Sequence, residues 1–173
     1  MPDTSHDPSE VRVVATLTAS PPRRYLGTAM LGMLGFLMLY LSISVPSGGA
    51  QFLLIAFGLL GIYASYRLFD ATSQIIELTT QELRLQSGTV LAELSNIQKV
   101  ERGAFAFKPS NGFLVTLKES GPRRWAPGLF WSFSRQLGVG GVTGAPQSKG
   151  MAEAIAILVA ERDIAAQQKQ NDE

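Results

Sequence analysis

Between Arg24 and Arg67 the chain carries no charged side chain, although Arg23 and Arg24 stand at one edge of the gap and Arg67 at the other. Ionised groups are costly in hydrocarbon, whereas water gives no reason to strip a long stretch of all of them. A gap of this length therefore points to a bilayer rather than to a soluble core. Two apolar runs fill it, residues 25–44 and 50–68. Each is about 20 residues, which at a rise of about 1.5 Å per residue spans the roughly 30 Å hydrocarbon layer. Val45-Pro46-Ser47-Gly48-Gly49 between them is a cluster of helix breakers that suits a tight turn. The expectation is a helical hairpin, residues 25–69, that crosses the membrane twice. Buried helices of a soluble domain usually carry a charge on some face, and neither run does short of Arg67, next to the last residue of the second. A signal peptide fits less well, because its apolar part is about 7–15 residues long and follows a short basic start. Here a polar segment, residues 1–20, comes first.

The flanking charges set an orientation. Arg23, Arg24 and Arg67 lie at the open end of the hairpin and none at its turn, which predicts both termini in the cytoplasm. Tyr25, Tyr63 and Tyr66 fall near the inner boundary and Tyr40 toward the outer one, where amphipathic rings favour the headgroup region. Small residues share one face of each run: Thr28, Gly32 and Gly35 in the first, Gly58, Gly61 and Ser65 in the second. Small side chains let helix backbones approach closely. That stripe serves either a contact within the hairpin or a contact with another integral membrane protein.

Past residue 70 the texture becomes that of a sheet. Short alternating runs at 75–78, 83–86, 90–94, 97–102, 105–108, 113–117 and 123–125 are separated by turn residues such as Ser87-Gly88 and Pro109-Ser110-Asn111-Gly112. Many short strands with close turns imply an antiparallel meander, either a curved sheet or a barrel. Met151, Ala154, Ile155, Leu158 and Val159 recur at helical spacing, with Pro146 suited to a first turn. The expected organisation is an N-terminal tail over 1–24, the hairpin, an α+β cytoplasmic domain over 70–163 and a polar tail over 164–173. Alternation at Val11, Val13, Ala15 and Leu17 leaves room for one more edge strand inside the N-terminal tail.

A run of strands closed by one amphipathic helix resembles a pleckstrin-homology-like (PH-like) fold, and a two-span hairpin ahead of it resembles the bacterial PH-like membrane proteins. The stretches GAFAFKPSNGFLVTL and WAPGLFW…LGVGGVTGAPQSKGMAE are similar to small uncharacterised two-span inner-membrane proteins of alphaproteobacteria, over residues 25 to about 163. The resemblance implies an antiparallel curved sheet or barrel capped by the C-terminal helix, set at a bacterial inner membrane. It brings no catalytic residue with it.

The chemistry of the chain is sparse. It has no Cys, and its single His, His6, lies in the polar tail, so disulfides, thiolate metal sites and His-based triads have no residues to build on. The glycine-rich stretch 138–144 lacks the Gly-Lys-Ser/Thr of a P-loop and has Thr143 where a dinucleotide fingerprint needs glycine. It reads as a flexible or close-packed connection. Glu77, Glu82, Glu93 and Glu101 look like solvated positions, and Asp70 is expected to pair with a nearby base. No cofactor is expected, and no nucleic-acid module is visible. The distinctive segment is aromatic and basic: Arg123, Arg124, Trp125, Phe130, Trp131, Phe133 and Arg135. Residues 103–150 hold six bases against Glu119 alone, a net +5, whereas residues 151–173 carry −3. A positive face tethered beside a bilayer is drawn to anionic headgroups, by on the order of 1 kcal/mol per near-surface base. Arg123, Arg124, Trp125, Phe130, Trp131 and Arg135 are the expected membrane or partner surface, with at least one tryptophan expected in the core. The functional expectation is a non-enzymatic inner-membrane accessory, assembly or scaffold protein. Its rivals are a stoichiometric subunit of a larger energy-transducing complex and a membrane-bound enzyme acting on lipid or envelope substrates.

Overall fold

The computed structural model of the chain describes residues 12–102 and 109–171. A short strand, β1 (Val13–Leu17), leads into two long helices, α1 (Pro21–Ser44) and α2 (Gly49–Ala71). Pro21 and Pro22 open α1, where the missing N–H groups have no intrahelical partner to lose. Residues 45–48, with Pro46 and Gly48, break the helix between the two. Both helices are long and apolar enough to cross a membrane, and the most apolar window of each is only 11% buried. The core helix of a soluble domain would be mostly covered. Here Met33, Phe36, Tyr40, Phe52 and Phe57 stand exposed on the hairpin.

After α2 come eight more strands: β2 (Ile76–Thr79), β3 (Glu82–Leu85), β4 (Val90–Glu93), β5 (Ile97–Glu101), β6 (Phe113–Leu117), β7 (Arg124–Ala126), β8 (Phe130–Phe133) and β9 (Gln136–Val139). They form two antiparallel sheets, ordered β1-β2-β3-β4 and β5-β6-β9-β8-β7. A single turn of 3₁₀ helix, Leu94–Asn96, carries the chain from one sheet to the other. The final helix, α3 (Ala145–Asn171), buries Met151, Ala152, Ile155 and Val159 against both sheets. One core joins the three layers, with Leu17, Ile76, Leu78 and Leu83 from the first sheet and Phe113, Val115, Leu137 and Val139 from the second. Arg162 of α3 donates to the carbonyls of Leu94, Ser95 (3.2 Å) and Ile97 (2.8 Å), fastening the corner between the sheets. The architecture is a helical hairpin joined to an α+β domain.

Residues 13–17 form the edge strand for which the alternation at Val13, Ala15 and Leu17 left room, since β1 pairs antiparallel with β2 from Val13↔Thr79 to Leu17↔Ile76. The hairpin is therefore an insertion between two neighbouring strands. Residues 164–171 continue α3 instead of fraying, as suits a run of Ala, Gln and Lys, which are good helix formers. The segment 130–139 forms the two strands β8 and β9, for which no expectation was set. The strand expected at 105–108 lies outside the described residues, as do Val11 and His6.

β1 contributes to the core as well as to the sheet edge. Leu17 is fully buried, while Thr16 beside it is exposed. Leu17→Ala should lower stability by about 2–4 kcal/mol, and Thr16→Ala should change it by no more than about 0.5 kcal/mol. Denaturant unfolding of the detergent-solubilised chain, followed by circular dichroism, distinguishes the two. Equal effects would mean that β1 does not belong to the folded domain.

Candidate functional site

The hairpin is held by the small residues on its inner faces. A Cβ on Gly35 would lie 2.8 Å from the Gly58 carbonyl oxygen and 2.9 Å from the Ile62 nitrogen, so only glycine admits α2 at this point. A Cβ on Gly61 would sit 3.1 Å from the Gly35 Cα, and one on Gly58 would strike the Leu39 side chain. Nearer the open end, Ser65 Oγ donates to the Thr28 carbonyl at 2.8 Å and lies beside Gly32. Thr28, Gly32, Gly35, Gly58, Gly61 and Ser65 thus meet one another within the hairpin. Their backbones gain dispersion contact there, and the polar Ser65 hydroxyl is satisfied.

The glycine-rich stretch joins this hairpin to the domain. Gly138 and Val139 belong to β9, and residues 140–144 form the joint itself. Gly141 adopts a φ of 112° and packs so closely on Gly128 that a Cβ would collide with its carbonyl. Val142 donates its N–H to the Gly128 oxygen at 3.0 Å and accepts from the Ser20 N–H at 2.8 Å. Ala19 bridges to Thr143, whose carbonyl also accepts from Arg23 Nη1 at 3.2 Å. Three pieces are bonded here: the entry to α1, the joint, and the turn between β7 and β8. That turn also rests on α2, since a Cβ on Gly128 would lie 3.0 Å from Leu68 and 3.3 Å from Thr72. The stretch is close-packed, and its glycines admit backbone rather than phosphate.

The aromatic-basic residues do not form one patch. Trp125 pairs with Trp131, and Trp131 with Gly138, so these three share the outer face of the second sheet. The Trp131 indole lies over Gly138, where any side chain would displace it. Phe133 is on the same outer face, with the Arg123 guanidinium 4.6 Å from its ring centroid. Arg124 is on the opposite face of β7 and borders a separate surface hollow with Val90 and Pro122. Phe130 is 5% exposed. It belongs to the core and not to the expected surface, because pairing with Ala126 turns it inward. Arg135 is exposed in the β8–β9 turn, at the end of β8 away from the hairpin. The tryptophan expected in the core is absent: Trp131 is half-buried and Trp125 is 72% exposed.

Trp125 is exposed to solvent yet has a neighbour. With Pro127 it faces Leu60, Ala64 and Leu68 of α2 across a groove of about 380 Å³, which Leu31 of α1 and Tyr63 and Arg67 of α2 also line. Arg67 Nη1 donates to the Tyr63 hydroxyl at 2.9 Å. Sequence reasoning took Arg67 only as a topology signal; its spacing of four residues from Tyr63 already placed both on one helical face. On another side of the open end, Arg24 lies 4.1 Å from the Phe69 ring centroid and donates to the Phe69 carbonyl at 3.2 Å.

Three of the sheet carboxylates are engaged in ion pairs. Arg84 joins Glu77 (3.3 Å) and Glu82 (3.5 Å), and Lys99 joins Glu101 (2.7 Å). Glu93 accepts from the Ser95 hydroxyl at 3.1 Å. Asp70 forms no ion pair among the described residues, because Arg67 turns back toward Tyr63 and Arg24 toward Phe69. Among the described residues no three His, Cys, Asp or Glu side chains converge on a metal position.

These features define a class: an apolar two-helix hairpin, inserted between neighbouring strands of an α+β domain and bonded to it by a glycine joint. No protein-family model, curated protein or solved structure matches the chain.

The hairpin seam is open to a direct check. A Cβ on Gly32 lies 3.8 Å from the Ser65 Cβ, inside the roughly 3.5–4.5 Å range of disulfides. With no native Cys in the chain, the Gly32→Cys, Ser65→Cys double variant should form an intramolecular crosslink on mild oxidation in membranes. Gel mobility before and after reduction reports it. Failure to crosslink, in a variant that still extracts as a folded protein, would show that the helices do not meet along this face.

Proposed function

We propose that the chain is an integral inner-membrane protein without catalytic activity, in which a PH-like domain held beside the inner leaflet serves as an accessory, assembly or scaffolding surface. The observation that carries this reading is the setting of Trp125. Its exposed indole stands next to the exposed flank of α2, beside Tyr63 and Arg67, on the strand that leads into a turn bonded to the hairpin's entry. Amphipathic rings and arginines favour the headgroup region, where an apolar body and a polar tip are both satisfied. The exposed apolar surface along both helices needs hydrocarbon around it. Arg23, Arg24 and Arg67 at the open end, with no charge at the turn, favour cytoplasmic termini.

The PH-like reading is supported by two antiparallel sheets around one core with a C-terminal helix packed on them. The non-enzymatic reading draws on Glu77, Glu82 and Glu101, which are engaged with bases, and on the Ser95–Glu93 contact, which is exposed rather than set in an enclosed pocket. A stoichiometric subunit of an energy-transducing complex would share this architecture. Its contact would have to use faces other than the glycine stripe, which is occupied within the hairpin.

Two measurements test the proposal. Reporter fusions at Gly48 and after Glu173 should report opposite sides of the membrane; agreement between them would overturn the hairpin topology. Purification through a C-terminal tag in mild detergent should recover partner proteins at well below one per chain. A membrane protein recovered in equal amount would replace the accessory reading with the subunit one.

A further inference from the structure

The groove between α2 and the β7–β8 turn has a chemistry of its own. One wall is the helix surface formed by Leu60, Ala64 and Leu68, and the other is the Trp125 indole. From Leu60 to Leu68 it follows nine residues of α2, about 12 Å at the helical rise. Its volume of about 380 Å³ lies within the roughly 300–1,000 Å³ of small-ligand sites. Toward Leu60 the lining is apolar, and toward Leu68 it includes the Arg67 cation. Arg67 is exposed and forms no ion pair among the described residues; its guanidinium donates to the neutral Tyr63 hydroxyl. A groove that is apolar along its length and cationic at its mouth complements a molecule with the reverse order, an alkyl chain ending in an anion. It is also continuous with the exposed flank of the hairpin, so such a molecule could enter sideways from the leaflet without leaving hydrocarbon.

We propose that this groove holds one anionic glycerophospholipid, its phosphate on Arg67 and one acyl chain laid against Leu60, Ala64 and Leu68 beneath Trp125. The inference rests on the membrane placement proposed above and names the ligand of that placement. Arg67 is suited to the phosphate because a guanidinium offers several donors in a fixed fork, of which Tyr63 takes one. Trp125 contributes a flat apolar cover, and the bonded turn holds it at a fixed distance from α2, so little ordering is needed when the lipid enters.

The test uses the full chain in mild detergent, titrated with phosphatidylglycerol or with phosphatidylcholine of matched acyl chains, and reads retained lipid by native mass spectrometry. One phosphatidylglycerol should be retained per chain, with a preference of about fivefold over phosphatidylcholine, as expected for one near-surface base. Arg67→Gln should abolish the preference and Arg67→Lys should keep most of it. Trp125→Phe should weaken retention of both lipids, and Lys169→Gln, which removes a charge at the end of α3, should leave retention unchanged. A preference that survives Arg67→Gln, or no retained lipid, would overturn the groove.

A parallel measurement separates this from the placement on which it rests. Fluorescence of the full chain in nanodiscs with brominated acyl chains, compared with the Trp125→Phe variant, isolates the quenching of Trp125. Quenching by both brominated lipids alike, with no headgroup preference in the titration, removes the groove and keeps the membrane placement. No quenching of Trp125 by either lipid removes both.

Discussion

The pairing of β1 with β2 is the constraint from which the rest of the molecule follows. Leu17 at the end of β1 lies opposite Ile76 at the start of β2, and both side chains are fully buried. Everything between them leaves the sheet and must return to its neighbouring strand. A helical hairpin meets that requirement, because two antiparallel helices of nearly equal length bring their open ends back together. Strand pairing thus closes the hairpin at one end and the turn at 45–48 closes it at the other. Neither helix is free to drift from the domain without breaking backbone hydrogen bonds in the sheet and exposing Leu17.

Within that closure the helices are brought together by what they lack. Lipid gives apolar side chains no reason to leave it, so association depends on close contact and on hydrogen bonds. Gly35, Gly58 and Gly61 remove the side chains that would keep the backbones apart, and Ser65 adds a hydrogen bond to the Thr28 carbonyl. Gln51 adds another near the turn, donating to the Ser42 carbonyl at 3.2 Å. The bulky residues are turned outward as a consequence, and this is why the exposed surface of the hairpin is so apolar.

The sequence made some of this legible and hid the rest for identifiable reasons. Charge depletion between Arg24 and Arg67 and the breakers at 45–49 announce two helices and a turn without any knowledge of neighbours. Strands β2 to β6 are visible because period-two alternation and turn residues are local signals. β1 was only a suggestion, since its partner lies beyond the hairpin and nothing near Val13 specifies it. β8 and β9 were hidden by glycine: Gly138 reads as a breaker until Trp131 is seen to cover it from the next strand. The surface residues suffered from the same omission. Once Phe130–Phe133 is recognised as a strand, alternation alone turns Phe130 inward and Trp131 and Phe133 outward. Read as an unstructured cluster, the six residues look like one patch, which the pleat in fact divides between two faces.

The joint explains why the position of Trp125 carries meaning. A domain on a flexible linker samples many orientations, and an exposed tryptophan on it says little about where the ring resides. Here the β7–β8 turn is bonded through Gly128 to Val142, and Val142 through its carbonyl to Ser20 at the entry to α1. Leu68 and Thr72 of α2 press on the same turn from the other side. The orientation of the domain is therefore set by short backbone contacts that admit no side chain at Gly128 or Gly141, rather than by attraction of its basic residues to a surface. Charges such as Arg123 and Arg135 act over a distance of order the Debye length, about 8 Å at physiological salt, and can add to an orientation they do not determine. The position of the indole relative to α2 is then a property of the fold, inherited from the hairpin to which the neighbouring turn is fastened.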